Sequence, residues 1–213
     1  MADALLNDLI VRYPMLEVCR DDIMQAFSLI RDSYKSGGKL LICGNGGSAA
    51  DCEHIVGELM KSFMLTREIP AGDKSKIKSV SPQNGEYIIA NLQGALPAIS
   101  LVSQSALISA YSNDVAPDMV FAQQVYGYGR PKDAFLGIST SGNSKNIVYA
   151  SEMAKAMGIS TIALTGESGG VLKDICHTTI CAPSDVTPSI QDYHLPIYHT
   201  LCMMLEEEFF RHV

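Results

Sequence analysis

His54 and Glu58 lie four residues apart, so on a helix an imidazole and a carboxylate would share one face. Near the other end of the chain, Gln191 and His199 are eight residues apart, about 80° around a helix and so broadly on one side of it. If two such helices met, the four side chains could form an acid–base pair or a metal site. Taken one pair at a time, the same spacing is more commonly a surface ion pair or a hydrogen-bonded core group. His194, between the latter two, reads as an ordinary helix-face residue. His177 and His212 carry no signal.

Two loops add anion chemistry. In Cys43-Gly44-Asn45-Gly46-Gly47-Ser48, glycines allow close backbone approach, and free amides at a helix start favour negative charge. The spacing Gly44-x-Gly46-x-x-Ala49 also satisfies a loose dinucleotide fingerprint. The acidic residue expected about 20 positions on, at the end of a second strand, is missing, because the polar stretch Thr66–Asp73 stands there. A tight strand-to-helix turn without ligand is the simpler alternative. In Gly137-Ile138-Ser139-Thr140-Ser141-Gly142-Asn143-Ser144, four hydroxyls can surround a phosphate without Lys or Arg. Ser144 alone could be an N-cap, but Ser139, Thr140, Ser141 and Ser144 together exceed what a cap requires.

The elements that must position these groups are legible as alternating patterns. Apolar runs at Lys39–Cys43, Ala98–Val102, Ala134–Ser139 and Ser160–Leu164, with a less regular one at Thr178–Ala182, read as buried strands. Helical patterns fall between them, at about 49–63, 104–111, 144–157 and 189–211. Residues 1–36 suggest a helical arm, with Ile23, Phe27, Ile30 and Tyr34 at helical spacing before Gly37-Gly38. Strands buried on both faces and alternating with helices indicate a parallel five-stranded sheet in a doubly wound α/β fold. In such folds, ligands settle at strand C-termini. Residues 71–96 break the pattern. They are polar and turn-rich, with Lys74, Lys76 and Lys78 close together, and read as an inserted loop with a turn of helix near Tyr87–Leu92.

Composition narrows the classes. The chain has 213 residues, 47% hydrophobic and 18% charged, which is a globular balance and reads as one domain over 1–213, since no linker divides it. A net charge of −7 argues against a nucleic-acid surface, yet leaves room for a local phosphate pocket. No apolar run is long enough to cross a membrane, and the N-terminus lacks a signal-peptide pattern. The six scattered cysteines form no CxxC pair and read as reduced thiols of a cytoplasmic protein.

In order along the chain stand GNGGS after a strand, HxxxE in the next helix, SNDV from Ser112, GISTSGNS after another strand, and IQDYHLPIYH in the last helix. This arrangement resembles the SIS-domain phosphoheptose isomerases over nearly the whole length, with 71–96 resembling an insertion. The resemblance implies a SIS fold, a three-layer sandwich, and conversion of sedoheptulose 7-phosphate to a mannoheptose 7-phosphate. By similarity Asn45, Gly46, Gly47, Glu58, Asn113, Asp114 and Gln191 would touch substrate, and Ser139, Thr140, Ser141 and Ser144 would hold its phosphate. His54, Glu58, Gln191 and His199 match residues that hold zinc in members where metal is seen. Glu58 and His199 match the family's acid–base pair. The family likeness also implies a homotetramer with active sites shared between subunits.

Two departures stand near the expected site. The family often carries arginine shortly after the helix glutamate, where this chain has Lys61-Ser62-Phe63, and Arg-Ile-Gln-Glu where it has Ser189-Ile190-Gln191-Asp192. The sugar can therefore differ. A non-catalytic SIS module, binding a phosphosugar or a protein such as the replication initiator, is the competing reading. Retention of Glu58 with His54, Gln191 and His199 favours the enzyme. A dinucleotide-dependent oxidoreductase lacks its acidic ribose ligand.

Overall fold

The computed structural model describes residues 2–211, so His212 lies outside the described residues. The strands are β1 (Leu40–Gly44), β2 (Ala98–Ser100), β3 (Ala134–Ile138), β4 (Ser160–Thr165) and β5 (Thr178–Cys181), within a residue or two of the apolar runs. They form one sheet in the order β2-β1-β3-β4-β5, every pairing parallel, with Leu40 opposite both Ala98 and Ala134. The helices are α1 (Ala2–Arg12), α2 (Arg20–Lys35), α3 (Gly47–Met60), α4 (Ala71–Val80), α5 (Gly85–Asn91), α6 (Ser105–Asp114), α7 (Val120–Tyr128), α8 (Lys145–Ala156), α9 (Leu172–Ile175) and α10 (Thr187–Phe210).

The period of two along each strand sorts its side chains into two cores. Leu40, Ile42, Ala134, Leu136, Ile138, Ile162 and Leu164 face α1, α2, α3 and α10. Leu41, Cys43, Phe135 and Ala163 face α7 and α8 through Val120, Phe121, Val125, Ile147 and Ala154. The result is three layers, helix–sheet–helix. The N-terminal arm is part of the first layer: Leu6 and Leu9 of α1 and Ile23, Phe27 and Ile30 of α2 are fully buried there.

The strand order has a functional consequence. The chain leaves β1 for β2 on one side, then crosses back to β3 on the other, so the loops after β1 and β3 diverge at a topological switch point. These are the glycine-rich and serine-rich loops.

Residues 71–96 differ from the expected loop, since 71–80 and 85–91 form α4 and α5. Their lysines are neutralised by Lys74–Glu68, Lys76–Asp73 and Lys78–Glu86 pairs at 2.8, 2.9 and 2.7 Å. Ile77 and Val80 of α4 meet Ile88 and Leu92 across a shared apolar crevice. Pairing between charges at helical spacing, and between two short helices, is what the polar composition concealed.

Candidate active site

The two loops meet. Asn45 of the first loop and Asn146, in the first turn of α8 just after the second, exchange side-chain amide hydrogen bonds at 2.9 Å in both directions. Gly46 enters α3 at φ 56°, a left-handed conformation that suits glycine. At Gly47 a Cβ would lie 2.6 Å from Gln191 Nε2, so glycine there lets α10 approach. Between the loops is a cavity of about 280 Å³, lined by Asn45, Gly46, Gly47, Ser48, Ile138, Ser139, Thr140, Ser144, Thr187 and Gln191.

Three helices begin at this cavity: α3 at Gly47, α8 just after Ser144, and α10 at Thr187. None of these N-termini is closed by a side-chain cap. Ser144, whose type and place suit a cap, instead accepts a hydrogen bond from Ser139 Oγ at 3.1 Å. Uncapped amides and three converging dipoles give the cavity a positive potential without a lysine or arginine in its lining. An anion such as a phosphate fits that chemistry.

Further along α3 and α10, the second constellation assembles. His54 Nε2 is 3.3 Å from Glu58 Oε1 and 3.4 Å from His199 Nε2, so His54 joins the carboxylate of its own helix to the imidazole of the other. The two imidazole rings are edge-to-face at 4.9 Å, and Phe63 packs on His199 at 5.5 Å. Lys61 Nζ reaches Glu58 Oε2 at 3.1 Å. Burial lowers the His199 pKa, and the charge of His54 adds to the shift while Glu58 opposes it.

Behind His54, Tyr198 OH donates to Asp51 Oδ1 at 3.2 Å and lies 3.0 Å from His54 Nδ1. A phenol has one proton to give; with the carboxylate taking it, His54 must donate from Nδ1. The Nε2 lone pair then points at Glu58 and His199. A proton or a metal ion placed here would satisfy the Nε2 lone pair and the Glu58 carboxylate together.

Zinc bound at about 2.0–2.1 Å to tetrahedral ligands puts its donors about 3.3 Å apart, which both His54 distances match. Two imidazoles and a carboxylate are also the right donor types. Among the described residues no group of three or more His, Cys, Asp and Glu closes into a metal-holding cluster, and Gln191 lies against Gly47 in the cavity instead.

Of the residues singled out from sequence, Asn45, Gly46, Gly47, Ser139, Thr140, Ser144 and Gln191 gather at the first cavity, and His54, Glu58 and His199 at the second constellation. Within one chain the cavity's lining includes none of the latter three, and His199 lines a different hollow with Phe63, Leu195 and Tyr13. Ser141 is exposed and accepts from the Asn143 amide at 3.2 Å. Asn113 and Asp114 are exposed at the end of α6, bonded to each other at 2.8 Å. Asn146, Thr187, Asp51 and Tyr198 were not anticipated. The Thr187-Pro188 helix start and the adjacency of Tyr198 to His199 were the available signals.

A family model described as "SIS domain" matches residues 13–73 and 77–166. A phosphoheptose isomerase of Akkermansia muciniphila is 37% identical over 89% of this chain and 86% of its own. Among solved structures, phosphoheptose isomerase GmhA from Neisseria gonorrhoeae superposes with a TM-score of 0.71 at 28% identity, covering 97% of this chain and 91% of that one. A phosphoheptose isomerase from Francisella tularensis gives 0.75 at 29% identity, with 96% of each chain covered.

Proposed function

The chain belongs to the SIS domain family, among the phosphoheptose isomerases, which are aldose–ketose isomerases, and on that premise we propose that it interconverts sedoheptulose 7-phosphate and D-glycero-D-manno-heptose 7-phosphate. The observation that carries the chemistry is His54 standing between Glu58 and His199, at 3.3 and 3.4 Å, where α3 and α10 meet. Isomerisation takes a proton from C1 of the ketose, forms an enediolate across C1 and C2, and returns a proton at C2, while the hydroxyl proton passes from O1 to O2. Glu58 and His199 are the pair that carries these protons. A neutral imidazole, favoured by the lowered His199 pKa, can both accept and donate near neutral pH. Lys61 beside Glu58 adds positive charge that would offset the negative charge developing on the enediolate oxygens.

The phosphate is held in the cavity among Ser139, Thr140 and Ser144, where three helix N-termini converge, with Asn45, Gly46, Gly47 and Gln191 at its rim. His54, Glu58 and His199 would hold a zinc ion, which supplies Lewis acidity toward a carbonyl oxygen when bound. Metal analysis of protein purified without chelator tests this: an equivalent of zinc, lost together with activity in chelator, is the expected result.

The likeness to the phosphoheptose isomerases supports a homotetramer whose sites are shared between subunits. Asn113 and Asp114, which do not line the cavity of their own chain, would reach substrate across such an interface. Among the described residues no helix is long and apolar enough to cross a membrane, and all six cysteines are free, which suits a cytoplasmic enzyme. The functional test is incubation with a panel of ketose phosphates while aldose formation is followed. Turnover of sedoheptulose 7-phosphate is expected. Inertness toward the whole panel would replace the isomerase with a phosphosugar-binding module.

A further inference from the structure

Arg67 has the largest side chain among the fully buried residues, and its side-chain exposure is 0%. A buried guanidinium needs partners for all its donors. Nε pairs with Glu206 Oε1 at 2.7 Å, Nη1 donates to the Leu59 carbonyl at 2.7 Å, and Nη2 donates to the Glu58 carbonyl at 2.9 Å. Those two carbonyls belong to the last turn of α3, where the helix itself offers no partner. Glu206, 1% exposed, uses its remaining capacity on the strap that follows α3: Phe63 N–H reaches Oε1 at 2.8 Å, and Met64 and Leu65 N–H reach Oε2 at 2.8 and 3.1 Å.

The two ends of this clamp are the two helices of the site. Glu58 is the residue whose carbonyl Arg67 holds, and Phe63, whose amide Glu206 holds, is the ring against His199. Glu206 follows His199 by seven residues on α10, which puts the two within about 20° on one helix face. We propose that the buried Arg67–Glu206 pair is a positioning device of the active site, fixing the end of α3 and the Phe63 strap against α10 so that Glu58 and His199 keep their spacing about His54. This rests on the isomerase reading above. Neither residue touches substrate. Their influence passes through the Glu58 carbonyl and the Phe63 amide.

Arg67→Lys keeps the charge but cannot serve Glu206 and both α3 carbonyls together, and Glu206→Gln keeps the shape but loses the charge. For each folded variant, assayed well below its melting midpoint, kcat is expected to fall about 10- to 100-fold, because small misplacement of acid–base groups is costly. KM should stay within about threefold, since the phosphate cavity lies elsewhere. Ile180→Ala, a core residue of β5 that lines neither hollow, is the control that lowers the midpoint without lowering kcat. Folded Arg67→Lys and Glu206→Gln proteins with wild-type kcat would overturn the proposal. Amide exchange of the wild-type protein probes the clamp without any variant. Phe63, Met64 and Leu65 should exchange as slowly as helical amides, whereas solvent-like rates there would overturn the proposal. Absence of wild-type turnover would count against the isomerase reading alone, and the exchange rates would still test the clamp.

Discussion

Tyr198→Phe removes a single oxygen from the centre of the site. The ring is 1% exposed, and its hydroxyl gives its proton to Asp51 at 3.2 Å while taking that of His54 Nδ1 at 3.0 Å. A hydrogen bond contributes about 1 kcal/mol net, and one to a charged group about 1.5–3 kcal/mol. Asp51 is half-buried, so water recovers part of the second bond, and the two together are worth about 2 kcal/mol. For a chain of 213 residues this lowers the melting midpoint by about 4–8 °C. The loss depends on pH. Burial raises the Asp51 pKa, and the Tyr198 hydrogen bond and His54 oppose that rise, so deleting the hydroxyl lets it climb further. A carboxyl raised above its unfolded value stabilises fully below that value and loses the benefit as pH rises through the folded pKa. The deficit of Tyr198→Phe should therefore be larger at about pH 7 than at about pH 4. Calorimetry at both pH values measures it, and the ¹⁵N shifts of His54 report whether Nδ1 keeps its proton. Equal midpoints with unchanged nitrogen shifts would refute the idea that Tyr198 sets the His54 tautomer.

Two further outcomes follow from single contacts. Gly47→Ala drives a methyl to 2.6 Å from Gln191 Nε2, the movable end of a flexible side chain. Stability should change by less than about 1 kcal/mol, while KM for the sugar phosphate rises; an unchanged KM would remove Gln191 from the cavity's working set. His194 is fully buried beside the Thr165 carbonyl, and burial lowers its pKa to about 4. Its folded pKa lies below the unfolded 6.5, so it contributes stability above that value and loses it as pH falls toward 4. The melting midpoint should drop across that window, and His194→Leu should flatten the drop. A pH profile identical in the variant would assign the acid sensitivity elsewhere.

Much of this arrangement was legible in the chain because local patterns carried it. The strands declared themselves as short apolar runs, the first of them between glycines, and the sheet's register puts the GNGGS and GISTSGNS loops side by side, as alternation of strand and helix requires. Whether Ser144 capped α8 could not be read from its type, since the decisive contact comes from Ser139 across the turn. The meeting of His54 with His199 was open for a similar reason: the two are 145 residues apart, and only packing of α3 on α10 decides it. Arg67 and Glu206 left no trace at all, because a buried ion pair 139 residues apart looks in sequence like two ordinary surface charges. The α4–α5 hairpin was hidden by its polarity, which its ion pairs absorb.

Glu58 is the carboxylate on which the chemical account turns, since it faces His54 and Lys61 at one end and is tied to Arg67 through its own carbonyl. The direct test compares wild-type protein with Glu58→Gln, an isosteric change that keeps the helix and removes the carboxylate. Both should bind sedoheptulose 7-phosphate and melt at similar temperatures, but only wild type should release aldose. Equal aldose production by the two proteins would contradict the assignment.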